Sequence, residues 1–499
     1  MVNFILRNME RKKTYLNHID EFTVKLPFIL NDQQKDVIRE IDKFVKDPFD
    51  RIMTISGWAG TGKTTLMQIV KGRYWQTGPN IHFAATTHKA AAVLKTKVNK
   101  KVSTVNSLFG ILVEVDMDQE QFDASKKKRK LDSEKLTTGS LVVIDEASML
   151  SEENYHDVIQ KCKDYNCKVI FIGDSAQLAP VNEDDISIVF RPDGVESKQV
   201  VELTKVERTD EAPILEEATR IRLDGYLSYK TNINEHGGVQ YIRKPDELVE
   251  TINKYIGGLK DDPNYFRILT YTNKNVEKLN QIIRQKLGYG ILPEHGEPLM
   301  SYNNWKYIGN NTYAFVNSES YKVDKILETR LENLSDILEN YDGDLTIPIV
   351  DIQIIDALGK KQVIPYIDVK NNKETIPAVE MICREKVNLW RKYRDVDGST
   401  VQGKIRRSEI VHEINALDDF LFVNDNIIDV FGNLLQAKVV DFGYAHTIHK
   451  SQGSTFDIVL MNDMDIENNC HDKMIKKQLR YVGLTRAKKS VIILTNISE

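Results

Sequence analysis

The stretch "GWAGTGKTTL", Gly57–Leu66, decides how the rest of the chain is read. It fits the pattern Gly-x-x-x-x-Gly-Lys-[Ser/Thr] and stands between a run of apolar β-formers, "RIMTIS" (51–56), and a segment expected to be helical. That strand–loop–helix setting separates a phosphate-binding loop from a chance glycine-rich turn. Glycines let backbone N–H groups turn inward around phosphate oxygens. Gly57, Ala59, Gly60, Thr61, Gly62 and Thr65 are therefore the expected cradle for ATP. Lys63 would bridge the β- and γ-phosphates, and Thr64 would hold Mg²⁺.

The same texture continues on both sides. "NIHFAAT" (80–86), "SLVVIDEA" (140–147) and "KVIFIGD" (168–174) are continuous apolar runs, as in parallel strands covered on both faces. They predict an α/β sheet wound with helices up to about residue 200. Asp145 and Glu146 then fall at the C-terminal end of a buried strand, the edge where such sheets hold ligands. Asp145 would take Mg²⁺, directly or through water. Glu146 would orient and deprotonate the attacking water. The next strand ends in "GDSAQLAPV" (173–181), where Gln177 is placed to sense the γ-phosphate. These features make a hydrolase of nucleoside triphosphates and leave open what hydrolysis drives.

A second α/β pattern begins with "FRILTYTN" (266–273) and the helix-like "KNVEKLNQIIRQKL" (274–287). It resumes in "AKVVDFGYAHTI" (437–448), "FDIVLMND" (456–463) and "SVIILTN" (490–496). Between them, 290–436 reads as a β-rich insertion, with helices over "PAVEMICREKVNLWRKYRDV" and "SEIVHEINALDDFLFVND". A smaller polar excursion interrupts the first half at 111–137. It includes "QEQFDASKKKRKLDSEK" (119–135), with Phe122 upstream of the basic run Lys126–Lys130.

Composition limits the options. With 68 basic and 73 acidic residues the net charge is −5, so any nucleic-acid surface must be local. Cys162, Cys167, Cys383 and Cys470 are scattered and lack the partners of a zinc site. They are expected to be reduced thiols of a cytoplasmic protein. No apolar run has the length of a membrane span or a signal peptide.

The order of motifs resembles superfamily 1 helicases of the 5′-to-3′ branch, RecD-like and Dda-like, from about Asn31 to the C-terminus. "LNDQQKDVI" (30–38) resembles the Q motif, "AATTHKAAAVL" (84–94) motif Ia and "STVNSLFG" (103–110) motif Ib. "ELTKVERTDEAPILEEATRIR" (202–222) resembles motif IV, "HTIHKSQGSTFD" (446–457) motif V and "RYVGLTRAKKS" (480–490) motif VI. The resemblance implies two RecA-like domains in tandem, 1–200 and 201–289 with 437–499. It also implies a pin-like insertion at 111–137 and an SH3-like insertion at 290–436. It makes Gln34 an adenine reader, Gly453 a nucleotide contact, and Arg208 and Arg486 phosphate-contacting arginines. Two arginines at an ATP site would oppose the charge of the transferring phosphoryl group.

For DNA, the resemblance implies contacts from Thr86, His88, Lys89, Thr104, Ser107, His449, Ser451 and Gln452, chiefly to phosphates and largely independent of sequence. Asn106 stands where motif Ib commonly has His, and Trp58 where this branch often has Pro. Trp58 is read as a packed or a base-stacking side chain. Phe122 is read as the tip aromatic of the pin, stacking on the last base pair, or as a packed side chain. Lys126–Lys130 would attract phosphate at the fork or form a solvated loop. The implied activity is ATP-driven 5′-to-3′ translocation on single-stranded DNA with unwinding of fork DNA, in phage replication or recombination. The protein would act as a monomer beside single-stranded-DNA-binding or replication proteins. Two alternatives share the motifs: a translocase that strips proteins without unwinding, and a helicase subunit of a recombination nuclease complex.

Overall fold

A computed structural model of the chain describes residues 15–19, 22–26, 28–74, 78–111, 113–115, 127–129, 136–180, 183, 185–191, 198–199, 202–206, 212–262, 264–303, 305–306, 313–338, 341–356 and 359–497. The chain divides into two compact units, 1–113 with 130–225 and 114–129 with 226–499.

In the first unit, β1 (Tyr15–Ile19) and β2 (Phe22–Leu26) form an antiparallel hairpin. The main strands are β3 (Ile52–Ser56), β4 (Ile81–Ala85) and β5 (Val102–Thr104). The short β6 (Val113–Val115) and β7 (Lys127–Arg129) pair with each other, and residues 114–129 group with the second unit. β8 (Leu141–Asp145), β9 (Lys168–Gly173) and β10 (Lys198–Gln199) complete a six-stranded sheet ordered β10-β3-β9-β8-β4-β5. Every pairing in it is parallel.

Side chains alternate across a strand, so one apolar run feeds two cores. Ile170 and Ile172 join Met53, Leu141 and the helices Asp32–Lys46 and Lys63–Tyr74 on one face. Val169 and Phe171 join Val142, Ile144 and the helix Glu152–Asp164 on the other. The first helix starts with a capping box: Asn31 accepts from the Gln34 backbone and the Gln34 side chain accepts from the Asn31 N–H. Lys168 closes its other end, donating to the carbonyls of Phe44, Asp47 and Asp50.

The boundary expected at residue 200 falls instead after Gly225. The cause is local. Leu203 bridges Gly57 in parallel, and the Trp58 N–H donates to the Leu203 carbonyl at 2.9 Å. Residues 202–206 therefore extend the first sheet, and the helix Ala212–Asp224 follows in the same unit.

The second unit opens with β11 (Asn232–Asn234), β12 (Gly237–Ile242) and β13 (Phe266–Thr270). The helix Asn273–Lys286 leads into the insertion: β14 (Pro298–Ser301), β15 (Trp305–Lys306), β16 (Tyr313–Phe315), β17 (Ser320–Asn333), β18 (Thr346–Ile355) and β19 (Lys361–Tyr366). Two long helices, Ile376–Asp395 and Val401–Leu417, and the hairpin of β20 (Ile427–Ile428) with β21 (Leu434–Gln436) complete it. The run 437–448, read as one strand, is two: β22 (Val440–Phe442) and β23 (Ala445–Thr447). β22 closes the insertion's sheet, ordered β19-β18-β17-β14-β22 and antiparallel throughout. β23 lies at the edge of the other sheet, β11-β12-β25-β24-β13-β23, with β24 (Phe456–Asn462) and β25 (Ala487–Leu494). That sheet is parallel except for its β11–β12 pair. The insertion's sheet thus runs past residue 436.

The insertion is fastened to this sheet by buried polar contacts. Arg284 donates to both oxygens of Glu297, Tyr444 donates to the same carboxylate, and the Arg284 guanidinium lies 3.7 Å from the Phe442 ring centre. All four cysteines are buried and free. Among the described residues no helix is long and apolar enough to cross a membrane.

Candidate functional site

The C-terminal ends of β3, β9 and β8 bring the first unit's motifs together. The Gly57 N–H donates to the Gly173 carbonyl at 2.9 Å, fixing the start of the loop against the end of β9. Gly60 (φ +79°) and Gly62 (φ +89°) are left-handed, which β-carbons oppose. A Cβ on Gly62 would also lie 2.6 Å from Gln34 Nε2. Lys63 donates to the carbonyls of Gly57 at 2.6 Å and Trp58 at 3.0 Å, so its ammonium is held over the loop's mouth.

Gln34 was expected to present its amide to adenine. Its Oε1 instead accepts from Asn31 N–H, and its Nε2 donates to the Thr61 carbonyl at 2.9 Å. It is buried and shapes the loop. Gln33 beside it accepts from the backbone N–H groups of Thr204 and Lys205 and donates to Thr204 Oγ1.

Asp145 ends β8, and burial, then the neighbouring Glu146 charge, push its carboxyl up to about 7. Glu146 is a left-handed residue (φ +53°), and its Oε2 is buried without a hydrogen-bond partner among the described residues. Thr86 Oγ1 donates to the Glu146 carbonyl at 3.3 Å, linking motif Ia to this turn. Gln177 sits on the loop after β9, its N–H donating to the Asp174 carbonyl at 3.1 Å. Its Oε1 is likewise buried without such a partner. Two unsatisfied acceptors at one sheet edge fit a site that receives water and a magnesium-bound phosphate. Among the described residues no group of three or more His, Cys, Asp or Glu could hold a metal ion alone. A divalent ion there would need the nucleotide's oxygens as well, which is how Mg²⁺ is commonly bound.

The motif Ia and Ib residues stand at helix starts. His88 and Lys89 open the helix His88–Val98, capped by Thr87. Thr104 caps Val105–Phe109 by accepting from the Ser107 N–H at 3.2 Å. These ends leave backbone N–H groups suited to phosphate.

In the second unit, Ser451 Oγ donates to the Ile448 carbonyl at 2.6 Å and is fully buried. Gln452 Nε2 and Ser454 Oγ are buried without partners among the described residues. Gly453 is left-handed (φ +72°). Burial lowers the proton affinity of His449, whose ring lies 6.0 Å from that of Tyr271. Arg486 donates to the carbonyls of Val482 and Ser454, both at 3.2 Å, and so joins motif VI to motif V. Arg208, Phe122 and the side chains of Lys126–Lys130 lie outside the described residues.

Sequence reading passed over two residues. Asp465 accepts from Thr270, Tyr271, Thr272, Asn275 and Asn469, pinning the end of β13. Arg222, at the end of the 202–222 stretch, reaches Asp174, Ser175 and Glu202. No local pattern signals either set of contacts, because every partner but Asn469 is twenty or more residues away.

Residues 29–244 match the family model of an AAA domain, and 442–494 match a UvrD-like helicase C-terminal domain. The chain is 23% identical to uncharacterized protein R530 of Acanthamoeba polyphaga mimivirus, over 92% of this chain and 98% of that protein. It is 30% identical to the ATP-dependent DNA helicase dda of Enterobacteria phage T4, over 52% of this chain and 57% of the phage protein. It is 22% identical to the RecBCD enzyme subunit RecD of Buchnera aphidicola, over 90% and 70%.

Proposed function

We propose that this chain is a superfamily 1 helicase, an ATP-dependent DNA helicase moving 5′-to-3′ along single-stranded DNA. The observation that carries the reading is the hydrolytic edge of the first sheet. There Lys63, the Asp145–Glu146 pair and Gln177 stand on the ends of three adjacent parallel strands.

Lys63 and the N–H groups of the Gly57–Thr65 loop bind the nucleotide's phosphates. Thr64 and Asp145 would hold Mg²⁺, which when bound supplies positive charge beside the phosphates. Glu146 takes the proton of the attacking water through its unpartnered Oε2. Gln177 hydrogen-bonds near the γ-phosphate and transmits its loss to the loop after β9. Gln34 serves the nucleotide through the loop it braces at Thr61. Arg486 and Arg208 oppose the charge that builds on the transferring group. Thr86, His88, Lys89, Thr104 and Ser107 in the first unit and His449 and Gln452 in the second contact single-stranded DNA, mostly at phosphate, while the buried Ser451 shapes the motif V turn. Phe122 is the pin aromatic, and the substrate is fork DNA in replication or recombination.

ATP hydrolysis measured with and without single-stranded DNA tests the motor. Absence of stimulation would sink it. Duplexes with a single 5′ or 3′ overhang test direction: opening only the 3′-tailed substrate would reverse the assignment. Phe122→Ala should lose unwinding while keeping DNA-stimulated hydrolysis. Unchanged unwinding would return Phe122 to a packing role.

A further inference from the structure

The helix Ala212–Asp224 carries the stretch read as motif IV onward past Arg208, and its Arg222 ties the phosphate loop to the loop after β9. Arg222 donates to the carboxylate of Asp174, a fully buried side chain at the end of β9. Its other terminal nitrogen donates to Ser175 Oγ at 3.2 Å and to Glu202 Oε1 at 2.6 Å. The guanidinium carbon stands 4.9 Å from the ring centre of Trp58, inside the phosphate loop. Trp58 Nε1 donates to the same Glu202 oxygen at 3.0 Å.

We infer that Arg222 is a positioning residue of the ATP site, locking the Gln177 loop and the phosphate loop into one piece. The inference rests on the ATP-hydrolysing reading of this unit. Asp174 is the hinge of the argument. Its carboxylate accepts from the Ala176 N–H at 3.1 Å, and its carbonyl accepts from the Gln177 N–H at 3.1 Å. Whatever holds Asp174 therefore sets the path of the backbone that carries Gln177. Arg222 holds it while its guanidinium carbon stands over the ring of Trp58, the residue next to Gly57. A lysine ammonium could pair with Asp174, but a compact point charge lacks the planar fork that spreads contacts over Asp174, Ser175, Glu202 and the Trp58 ring. An ion pair serving stability alone would not need to span the phosphate loop and the loop after β9.

The test is a mutant cycle read in steady-state ATP hydrolysis, with binding of a fluorescent ATP analogue measured in parallel. Arg222→Gln should lower kcat by about tenfold, a loss typical of a misplaced catalytic group, while analogue affinity changes less than about threefold. In a Gln177→Ala background the same substitution should cost less than about twofold, because the group it positions is already gone. Arg222→Lys should recover part of kcat. Equal losses in both backgrounds, or a loss confined to affinity, would overturn the inference. Should Arg222→Gln fail to fold, Glu202→Gln replaces it in the same cycle under the same criteria, since Glu202 is a half-exposed partner of both Arg222 and Trp58. Absence of ATP hydrolysis in the unmodified protein would overturn the site reading and this inference with it. Normal hydrolysis with an inert Arg222 would overturn the inference alone.

Discussion

Replacing Glu146 with glutamine is the most searching perturbation of the site. The substitution keeps the side chain's shape and removes its capacity to accept a proton. Glu146 Oε2 is buried and has no hydrogen-bond partner among the described residues, so no neighbour competes for that lone pair. General-base catalysis contributes about 10²–10⁴ in rate, equivalent to about 3–5 kcal/mol of barrier. Glu146→Gln should therefore cut kcat for ATP by about that factor. Nucleotide affinity should hold within about threefold, because the phosphate loop is untouched. A companion variant separates chemistry from conformation. Glu146 is left-handed (φ +53°), a backbone state that costs a non-glycine residue about 1–2 kcal/mol. Glu146→Gly should relieve that strain and melt no lower than the unmodified protein, yet hydrolyse as poorly as the glutamine variant. The assay is phosphate release under saturating ATP, with analogue binding and thermal melting measured alongside. A kcat within about threefold of the unmodified protein in either variant would refute the general-base assignment.

Lys63→Ala should abolish hydrolysis and leave the melting profile nearly intact; substantial residual turnover would remove the loop from the chemistry. Lys168→Met strips a shared donor from the carbonyls of Phe44, Asp47 and Asp50 and should cost about 1–3 kcal/mol in urea denaturation of the first unit. An unchanged midpoint would make that cap ornamental. Asp419, in the insertion, is pushed up to about 6 by burial and then by Asp418. Its charged form is thus disfavoured in the fold, and stability falls as pH rises from about 4, where the unfolded group titrates, to about 6. Asp419→Asn should accordingly raise the denaturation midpoint at pH 7 and leave it unchanged at pH 4; equal gains at both would show that charge is not the cause. DNA affinity should fall linearly with the logarithm of salt concentration, and a flat dependence would argue against phosphate contacts.

The parallel sheets were legible because strands covered on both faces must be apolar at every position. "RIMTIS", "SLVVIDEA" and "KVIFIGD" each fold within a residue or two of the run as read. The phosphate loop was legible because left-handed glycines and a lysine at fixed spacing leave few other structures. What escaped depends on distant partners. The boundary after Gly225 follows from Leu203 pairing with Gly57, a choice made by the sheet edge and not by local composition. Gln34 carries the right side chain for a base contact, but nothing local announces that its amide also braces the Thr61 carbonyl of the phosphate loop. The Thr104 hydroxyl also caps the helix that follows it, which its place in motif Ib does not announce. The run 437–448 has continuous strand character, and nothing in it announces that its two halves belong to different sheets.

That division has a practical side. From Val440 to Thr447 the chain closes the insertion's sheet with one triplet and starts the edge of the parallel sheet with the next. Only Gly443 and Tyr444 lie between, and the Gly443 N–H donates to the Pro298 carbonyl at the insertion's entrance. Entry and exit are thus stitched together, and motif V begins at once. The insertion is not a cassette that can be cut at a loop and carried to another protein. A deletion ending at 436 would orphan β22. One ending at 442 would leave only Gly443 and Tyr444 between the cut and β23, the edge strand that runs into motif V. Grafting or trimming this segment would have to carry the first residues of the motor's own sheet with it.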